Sequence, residues 1–334
     1  MKFGVFSVSM PEYSPEKSVE LLKELGYTGV EWRVAEIKKP YERWDTCFKE
    51  EIPAPSEDDP KIPYEQRYWG NNKSTLSLEN IKEEALKAKE LCDAAGIEIF
   101  GLTTYLAVGD TEKLVNVMEA ANAIGCGQVR AGLVPYDPAK AEAPYPVLFD
   151  RMREDLKKLD PYARKYNVKV VLEIHMDTMI ASPSAAYRAL EGFDPEYFGL
   201  IFDPGNMVNE GFEEYQKSFE LLGDYIAHIH IKNGVLVPDG EDNLGAAKWK
   251  RQWCPLKKGM ADLKRLFSVM NKFGYDGTVS IEDFSNEEET KVKLENNLAY
   301  MKGMAETVKK EAEEAKEKVG GQAVLGRQRA MTTP

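Results

Sequence analysis

The sequence predicts an α/β protein, a (β/α)8 TIM barrel with enlarged loops after strands two and seven and a long C-terminal helix. Short apolar segments alternate with longer segments of helical period, which is typical of βα units on a parallel sheet. Glycine recurs where a helical segment meets the next strand, as at Gly26, Gly96 and Gly274. A doubly wound open sheet is the alternative, but Val8-Ser9-Met10-Pro11 lacks the glycine-rich phosphate loop expected after its first strand.

The eight strands follow one another at intervals that suit a closed ring. We predict them near residues 2–8, 29–34, 98–105, 128–133, 169–175, 198–204, 226–232 and 277–283. The helices between them are predicted at 16–25, 78–95, 111–124, 149–166, 184–190, 212–222 and 261–273, with a final charged helix at about 287–318. Residues 1–318 therefore form one predicted domain, and residues 319–334 are expected to be a disordered tail.

Two of the loops are longer than the rest, and both join the end of a strand to a helix. In a barrel such loops lie at the C-terminal face, where active sites are built. They contain four of the five tryptophans: Trp44, Trp69, Trp249 and Trp253. Aromatic rings there could stack on a bound ring and exclude water, or they could form small cores inside the loops. Both interpretations remain open at this point.

Composition excludes several classes of function. The net charge of −12 disfavours nucleic acid, because that affinity depends on clustered Lys and Arg. The four cysteines, Cys47, Cys92, Cys126 and Cys254, form no CxxC pair, which fits a reduced compartment and offers no zinc-site spacing. The N-terminus enters a strand without a signal peptide, and no apolar run is long enough for a membrane helix. We therefore expect a cytoplasmic protein that binds neither membrane nor nucleic acid.

The last four strands each end in a residue that can bind a metal ion. Period-two alternation turns the apolar residues of each strand toward the helices and points Glu173, Asp203, His230 and Glu282 into the barrel near its mouth. A buried carboxylate is costly unless a cation or hydrogen-bond donors receive it. Three carboxylates with one imidazole suit one divalent ion, Mn²⁺ before Co²⁺, Mg²⁺ or Zn²⁺. Taken singly, each residue could instead form a structural ion pair.

The choice of histidine and the surrounding residues complete the prediction. His228 shares a face with His230, but His230 lies nearer the end of its strand and is the preferred ligand. Arg130 and Lys232 could hold substrate oxygens or a phosphate, or form ion pairs with Glu31 or another barrel acid. Arg33 is a weaker candidate. The predicted substrate-binding residues are His175, Asn206, Lys232, Arg130, Tyr105, Trp69 and Trp249.

At these residues the sequence resembles the sugar phosphate isomerase/epimerase group of the xylose isomerase-like barrel superfamily, over roughly residues 1–305. That group includes ketose 3-epimerases, inosose dehydratase and hydroxypyruvate isomerase. The resemblance rests on the segments Leu172-Glu173, Asp203-Pro-Gly-Asn206-Met207, His228-Ile-His230-Ile-Lys-Asn233, Gly274-Tyr-Asp-Gly-Thr-Val-Ser-Ile-Glu282 and Glu295-Asn-Asn-Leu-Ala-Tyr300. In the family, the four metal ligands stand at the positions of Glu173, Asp203, His230 and Glu282.

The resemblance implies a metal-dependent isomerase or epimerase that acts on a sugar or sugar derivative. Glu173 and Glu282 would transfer the proton through a metal-stabilised enediolate. A lyase on the same scaffold is the alternative, either a keto-cyclitol dehydratase or an enzyme that cleaves 3-keto-glycosides. The related abasic-site DNA endonuclease needs three zinc ions and more histidines than the three present here. Dimers and tetramers are usual in resembling proteins.

Three positions depart from the family pattern. Asn206 stands where many members carry a substrate-binding His, Asn233 where an Asp is common, and Asp283 where a His often follows the last Glu. These departures leave the predicted metal site intact and put the usual epimerase substrates in doubt. The enlarged loop around Trp44 and Trp69 likewise suggests a bulkier or unusual sugar.

Overall fold

The computed structural model describes residues 1–37, 67–69, 72–132 and 134–330, with side chains described as far as residue 317. Most of the predicted loop after the second strand, including Trp44, lies outside the described residues. Trp69 and its neighbour Tyr68 are described.

Eight parallel strands close into a barrel, as the sequence predicts. The strands are β1 (Lys2–Phe6), β2 (Gly29–Ala35), β4 (Glu98–Ala107), β5 (Gln128–Gly132), β6 (Lys169–Glu173), β7 (Phe198–Phe202), β8 (Ile226–Ile231) and β11 (Thr278–Ile281). Each pairs with its neighbours in that order, and β1 pairs with both β2 and β11 to complete the ring. The short strand β3 (Leu76–Ser77) pairs with the end of β2.

Helices follow the barrel strands and cover their outer, apolar faces. They are α1 (Pro15–Leu25), α2 (Ile81–Ala95), α3 (Thr111–Ala123), α4 (Tyr145–Tyr166), α5 (Pro183–Leu190), α6 (Pro204–Asn209), α7 (Tyr215–Leu222), α8 (Leu263–Lys272) and α9 (Thr290–Ala330). The glycines predicted to end helices adopt left-handed conformations, with φ of 81° at Gly26 and 73° at Gly96. Among the described residues, no helix is long and apolar enough to cross a membrane.

Three elements differ from the sequence prediction. The enlarged loop after β8 contains an antiparallel hairpin, β9 (Gly234–Glu241) and β10 (Ala247–Trp253). The segment Pro204–Asn209 forms the short helix α6. The backbone of α9 remains helical as far as Ala330, so the predicted helix end at Lys318 is too early. Apart from three glycines, this last stretch contains many good helix formers, such as Gln, Ala, Leu and Arg.

The floor of the barrel is closed by one aromatic ring. A side chain at Gly4 or Gly29 would collide with Phe100, because an added Cβ would lie 2.4 Å and 2.1 Å from its ring atoms. Phe100 and His228 are in an edge-type contact, with 6.2 Å between ring centroids and 64° between the ring planes. A cavity of about 380 Å³ lies beyond Phe100, at the end of the barrel opposite the predicted metal site.

Candidate metal centre

The four predicted ligands meet at the C-terminal mouth of the barrel. Glu173 ends β6, Asp203 follows β7, His230 lies in β8 and Glu282 follows β11, and all four are buried. One ligand atom from each lies within 4.8 Å of the others. The Nδ1 atom of His230 is 3.4 Å from Oε1 of Glu173, 3.8 Å from Oδ2 of Asp203 and 3.6 Å from Oε2 of Glu282. The alternation of the strands therefore predicted the convergence correctly.

The local sequence around Asp203 explains where its carboxylate points. Asp203 is the N-cap of α6, and its Oδ1 accepts a hydrogen bond from the backbone N–H of Asn206 at 3.0 Å. Pro204 occupies the first helical position, where its missing N–H costs nothing. Because Oδ1 accepts this capping hydrogen bond, Oδ2 is the oxygen that faces the barrel interior, 2.9 Å from the ammonium of Lys232.

Glu173 is held by a cation and an amide. Nη1 of Arg130 donates to its Oε2, and Nδ2 of Asn206 donates to its Oε1 at 3.1 Å. Nε and Nη2 of Arg130 donate to the carbonyl of Thr104, which fixes the guanidinium in place. Burial opposes ionisation of Glu173, but the positive charges of Arg130 and Lys232, together with the contact to His230, outweigh it and hold the pKa of Glu173 well below its usual range.

Lys232 joins the other two carboxylates. Its buried ammonium donates to Glu282 and lies near Asp203, and it is 3.8 Å from Glu173. Burial, with the charges of Glu173 and Glu282 acting against that of Lys232, raises the pKa of Asp203 to about 7. The positive charges of Arg130 and Lys232 thus do not fully offset the negative charge of the three carboxylates.

One buried atom shows that a divalent cation fits this group. Among the described residues, Nδ1 of His230 has no hydrogen-bond partner, although it faces three carboxylate oxygens. Its other ring nitrogen, Nε2, lies 2.8 Å from Oε2 of Glu31. A neutral imidazole with its proton on Nε2 turns a lone pair toward those oxygens, which is an arrangement that a positive ion between them would stabilise. The oxygen-rich donor set suits Mn²⁺, Mg²⁺, Co²⁺ or Zn²⁺.

A second polar layer lies below this group, toward the barrel floor. Oε2 of Glu31 is 3.1 Å from Nε2 of His228 as well as 2.8 Å from that of His230, and Thr103 donates to Oε1. The two imidazoles are nearly perpendicular, with centroids 5.4 Å apart. The sequence named Glu31 only as one possible ion-pair partner of Arg130 or Lys232, with another barrel acid as the alternative, and Arg130 pairs with such an acid, Glu173.

Aromatic rings line the mouth around the carboxylates. Trp69 contacts Tyr105 and Phe284, at centroid distances of 6.0 Å and 5.3 Å. The guanidinium of Arg130 lies 4.9 Å from the centre of the Tyr105 ring, whose residue is 38% exposed. The ammonium of Lys232 lies 5.3 Å from the centre of the Trp253 ring.

The structure brings most, but not all, of the predicted substrate-binding residues to the mouth. Trp249 lies away from it, 59% exposed on the hairpin strand β10. Trp253 lies four positions further along the extended strand, a distance of about 13 Å. His175 lies just beyond Glu173, half-buried, with its Nδ1 2.7 Å from the carbonyl of Met176. The sequence analysis named Trp253 only among the loop tryptophans and did not select Phe284, although Phe284 lies two residues beyond Glu282, where strand alternation predicts the same face.

The two remaining departures from the family pattern have structural partners. Asn233 donates to the carbonyls of Leu256 and Ala261 and accepts from backbone N–H groups, so both ends of its amide are used. Asp283 accepts from Nδ2 of Asn297 at 2.7 Å and turns away from the barrel interior. Neither side chain takes part in the carboxylate group.

Comparison with known proteins gives the family. The model of the xylose isomerase-like TIM barrel family matches residues 64–305, which is well over half of the chain. The chain belongs to this family. Among curated members, the inosose dehydratase of Lacticaseibacillus casei is 28% identical over 140 residues, covering 40% of this chain and 46% of that protein. The match thus spans about half the length of that relative.

Solved structures of the xylose isomerase-like TIM barrel fold cover nearly the whole chain. A D-tagatose 3-epimerase-like protein has a TM-score of 0.61 and 20% identity, covering 93% of this chain and all of that one. A xylose isomerase-like TIM barrel protein from Mycobacterium smegmatis, in complex with magnesium, has a TM-score of 0.62 and 16% identity, covering 92% and 97%. At these identities the likeness shows the fold alone.

Proposed function

We propose that the protein is a divalent-metal-dependent isomerase or epimerase of a sugar or sugar derivative. The observation that carries the proposal is the pair of buried carboxylates, Glu173 and Glu282, on either flank of Asp203 and His230. The barrel strands β7 and β8 separate the strands that carry the two glutamates. A substrate carbon above the group would therefore meet one carboxylate on each side.

The two glutamates would move the proton. One takes it from the carbon beside a carbonyl, and the other returns a proton to the opposite face, which inverts the stereocentre. Arg130 and Lys232 keep the two carboxylates oriented through the hydrogen bonds they donate. A divalent cation held by Glu173, Asp203, His230 and Glu282 would polarise the carbonyl and stabilise the enediolate.

The aromatic rim would receive the apolar faces of the sugar and limit the access of water. Trp69, Trp253 and Phe284 contact one another around the mouth, and Tyr105 adjoins Trp69. His175 and Asn206 would complete the polar contacts with substrate oxygens.

A dehydratase is the second candidate, because the curated relative named above is an inosose dehydratase. The same base would remove the proton beside the carbonyl, and the second carboxyl group would protonate a departing hydroxide. A lyase that cleaves 3-keto-glycosides would use the same two groups, with an alkoxide as the leaving group. Epimerase and lyase thus share their first step and differ in the second.

We further propose a single-domain enzyme of the cytoplasm that forms a homo-oligomer and binds no nucleic acid. The described cysteines, Cys92, Cys126 and Cys254, are buried and free, in keeping with a reducing compartment. The net charge of −12 opposes binding to phosphate backbones.

The test is proton exchange in deuterated water. The protein, loaded with Mn²⁺, is incubated with a panel of ketoses and with an inosose, the Mn²⁺ is removed with a chelator, and deuterium incorporation is followed by NMR. Deuterium beside the carbonyl with a new epimer supports the first candidate, whereas loss of water from the inosose supports the second. No exchange on any of these substrates would contradict both.

Variants assign the chemistry to the site. Glu282→Gln keeps the size of the side chain but removes the base, so exchange should fall by at least about 100-fold. Glu98→Gln is the matched control, since Glu98 is half-exposed at the opposite end of the barrel and pairs with Lys2. Equal rates for the two variants would contradict the assignment of Glu282.

A further inference from the structure

Glu31 is a buried carboxylate that contacts no other carboxylate of the metal centre and yet touches one of its ligands. It lies in β2, across the barrel from β8, and its side chain is fully buried. Its Oε2 meets Nε2 of both His228 and His230, and its Oε1 accepts the hydroxyl proton of Thr103. A carboxylate in such a place is costly unless its oxygens are fully used, and here both have partners.

The contact determines which nitrogen of His230 carries a proton. An ionised carboxylate can only accept hydrogen bonds, so the 2.8 Å contact requires the proton on Nε2. In the neutral ring, Nδ1 is then left with a lone pair, and Nδ1 is the atom that faces Glu173, Asp203 and Glu282. The opposite tautomer would present an N–H where a metal ligand is needed.

Packing fixes the plane of the same ring. Phe6 stacks on His230 with centroids 5.5 Å apart and an interplanar angle of 21°. On the other side of Glu31, the Nδ1 atom of His228 lies 2.6 Å from the hydroxyl of Thr278. The plane of the ring and the position of its proton are thus both set by residues outside the carboxylate group.

The polar layer below the carboxylates, formed around Glu31, is better explained as support for the ring of His230 than as a second cation site. The groups Glu31, His228 and His230 are close enough to hold an ion. However, the nitrogens of His228 and the oxygens of Glu31 all have hydrogen-bond partners, whereas Nδ1 of His230 has none. The atom in need of a cation therefore belongs to the upper group.

We propose that Glu31 is a positioning residue for the metal centre: it holds His230 with its proton on Nε2 and thereby directs Nδ1 toward the metal. The inference rests on the proposed metal-dependent function and adds a residue to it. Its experiment measures metal binding and ring protonation without any substrate, so its failure can be told apart from failure of the proposed reaction.

The first measurement is made on wild-type protein with ¹⁵N-labelled histidine. NMR should show the proton of His230 on Nε2, both without metal and with the diamagnetic ion Zn²⁺ bound, where Nδ1 should shift. An unprotonated Nε2 in the zinc-loaded protein would overturn the proposal. This measurement needs no variant and so does not depend on how a substitution folds.

A graded pair of variants provides the second measurement. Glu31→Gln retains an oxygen that can accept from Nε2 but loses the charge, whereas Glu31→Met removes the acceptor at similar length. We expect the dissociation constant of Mn²⁺, measured by calorimetry, to rise by about 10-fold for Gln and by up to about 100-fold for Met. A merely structural role would lower the unfolding midpoint and leave the dissociation constant of the folded variants unchanged, which would contradict the proposal.

Asp283→Asn is the matched control. Asp283 is as deeply buried as Glu31 and adjoins Glu282, but its carboxylate accepts from Ser285 and Asn297 rather than from a ligand. We expect its dissociation constant for Mn²⁺ to stay within about 3-fold of wild type. If this control weakened binding as much as Glu31→Met, loss of any nearby buried charge would explain the effect, and the specific role of Glu31 would be wrong.

Discussion

Asn206 contacts two of the candidate ligands at once. Its Nδ2 lies 3.1 Å from Oε1 of Glu173, 3.0 Å from Oδ2 of Asp203 and 3.0 Å from the carbonyl of Ile174. The amide therefore keeps two negatively charged side chains side by side with a neutral donor. In the sequence it was a candidate for substrate binding, and its Oδ1, which has no partner, still faces a buried space.

Replacement of this donor by an acceptor should destabilise the protein. Asn206→Asp adds a negative charge between Glu173 and Asp203, and we expect the free energy of unfolding, measured in urea without metal, to fall by about 2–4 kcal/mol. Asn122→Asp is the control: Asn122 donates to the carbonyl of Tyr166 at an exposed position, and its change should cost less than about 1 kcal/mol. If the two variants lost equal free energy of unfolding, the role given to Asn206 would be wrong.

At the residue scale, the sequence predicted which way a side chain points better than which partner it contacts. Strand alternation was enough to point Glu173 and Glu282 inward, because period two is a local property of the backbone. The choice of partner was not local: Arg130 could equally have paired with Glu31, and only the folded barrel brings it to Glu173. Trp249 and Trp253 share one loop and one hairpin strand, and their positions along that strand decide which of them reaches the mouth.

At the scale of elements, α6 packs directly against the strand that supplies His230 and Lys232. A Cβ at Gly205 would lie 2.4 Å from Cγ and 2.7 Å from the carbonyl oxygen of Lys232. The close approach lets the short helix place its N-cap, Asp203, beside the ammonium of Lys232. Glycine is required here for space.

A methyl group at this contact should push α6 away from β8. We expect Gly205→Ala to lower the free energy of unfolding by about 1–3 kcal/mol, as overpacking does. Gly303→Ala in α9 is the comparison, because a Cβ there meets nothing within 4 Å and should raise stability by about 0.5–1 kcal/mol. Chemical denaturation measures the change in free energy of unfolding for both variants. If Gly205→Ala also raised stability, the contact between α6 and Lys232 would not be tight.

The elements that the sequence missed have a common physical cause. The hairpin strand β10 reads Ala-Lys-Trp-Lys-Arg-Gln-Trp and is exposed almost throughout, so it lacks the apolar alternation that marks a half-buried strand. Helix α6 is too short to show a helical period. The longer helices were predictable because each buries one face, and the barrel strands because they are short apolar segments buried on both faces.

At the scale of the whole molecule, the candidate metal centre joins the ends of four adjacent barrel strands. A cation held by Glu173, Asp203, His230 and Glu282 would tie β6, β7, β8 and β11 together, and the unfolded chain cannot offer this arrangement. Ligand binding to the folded state alone raises its stability in proportion to the logarithm of ligand concentration.

We therefore expect Mn²⁺ to raise the thermal unfolding midpoint of the whole chain. At 100 times the dissociation constant, the gain in free energy of unfolding is about 2.7 kcal/mol. A chelator should reverse the shift, and Asp203→Asn should reduce it, whereas Glu98→Gln should retain it. A wild-type midpoint that does not respond to Mn²⁺, Mg²⁺, Co²⁺ or Zn²⁺ in calorimetric scans would rule out the metal centre.

The packing at the barrel floor also restricts how this chain can change during evolution. Gly4 and Gly29 have no positive φ, but they are required for different reasons. The Phe100 ring alone fills the volume that a side chain at Gly29 would occupy, whereas a Cβ at Gly4 would also lie 2.6 Å from the backbone carbonyl oxygen of Gly29. A larger residue at Gly29 is compatible with the fold only if position 100 becomes smaller, and a smaller residue at 100 leaves a void unless Gly29 is replaced. Positions 29 and 100, on two different strands, are thus constrained to vary together although they are far apart in the sequence, while the backbone contact keeps position 4 a glycine.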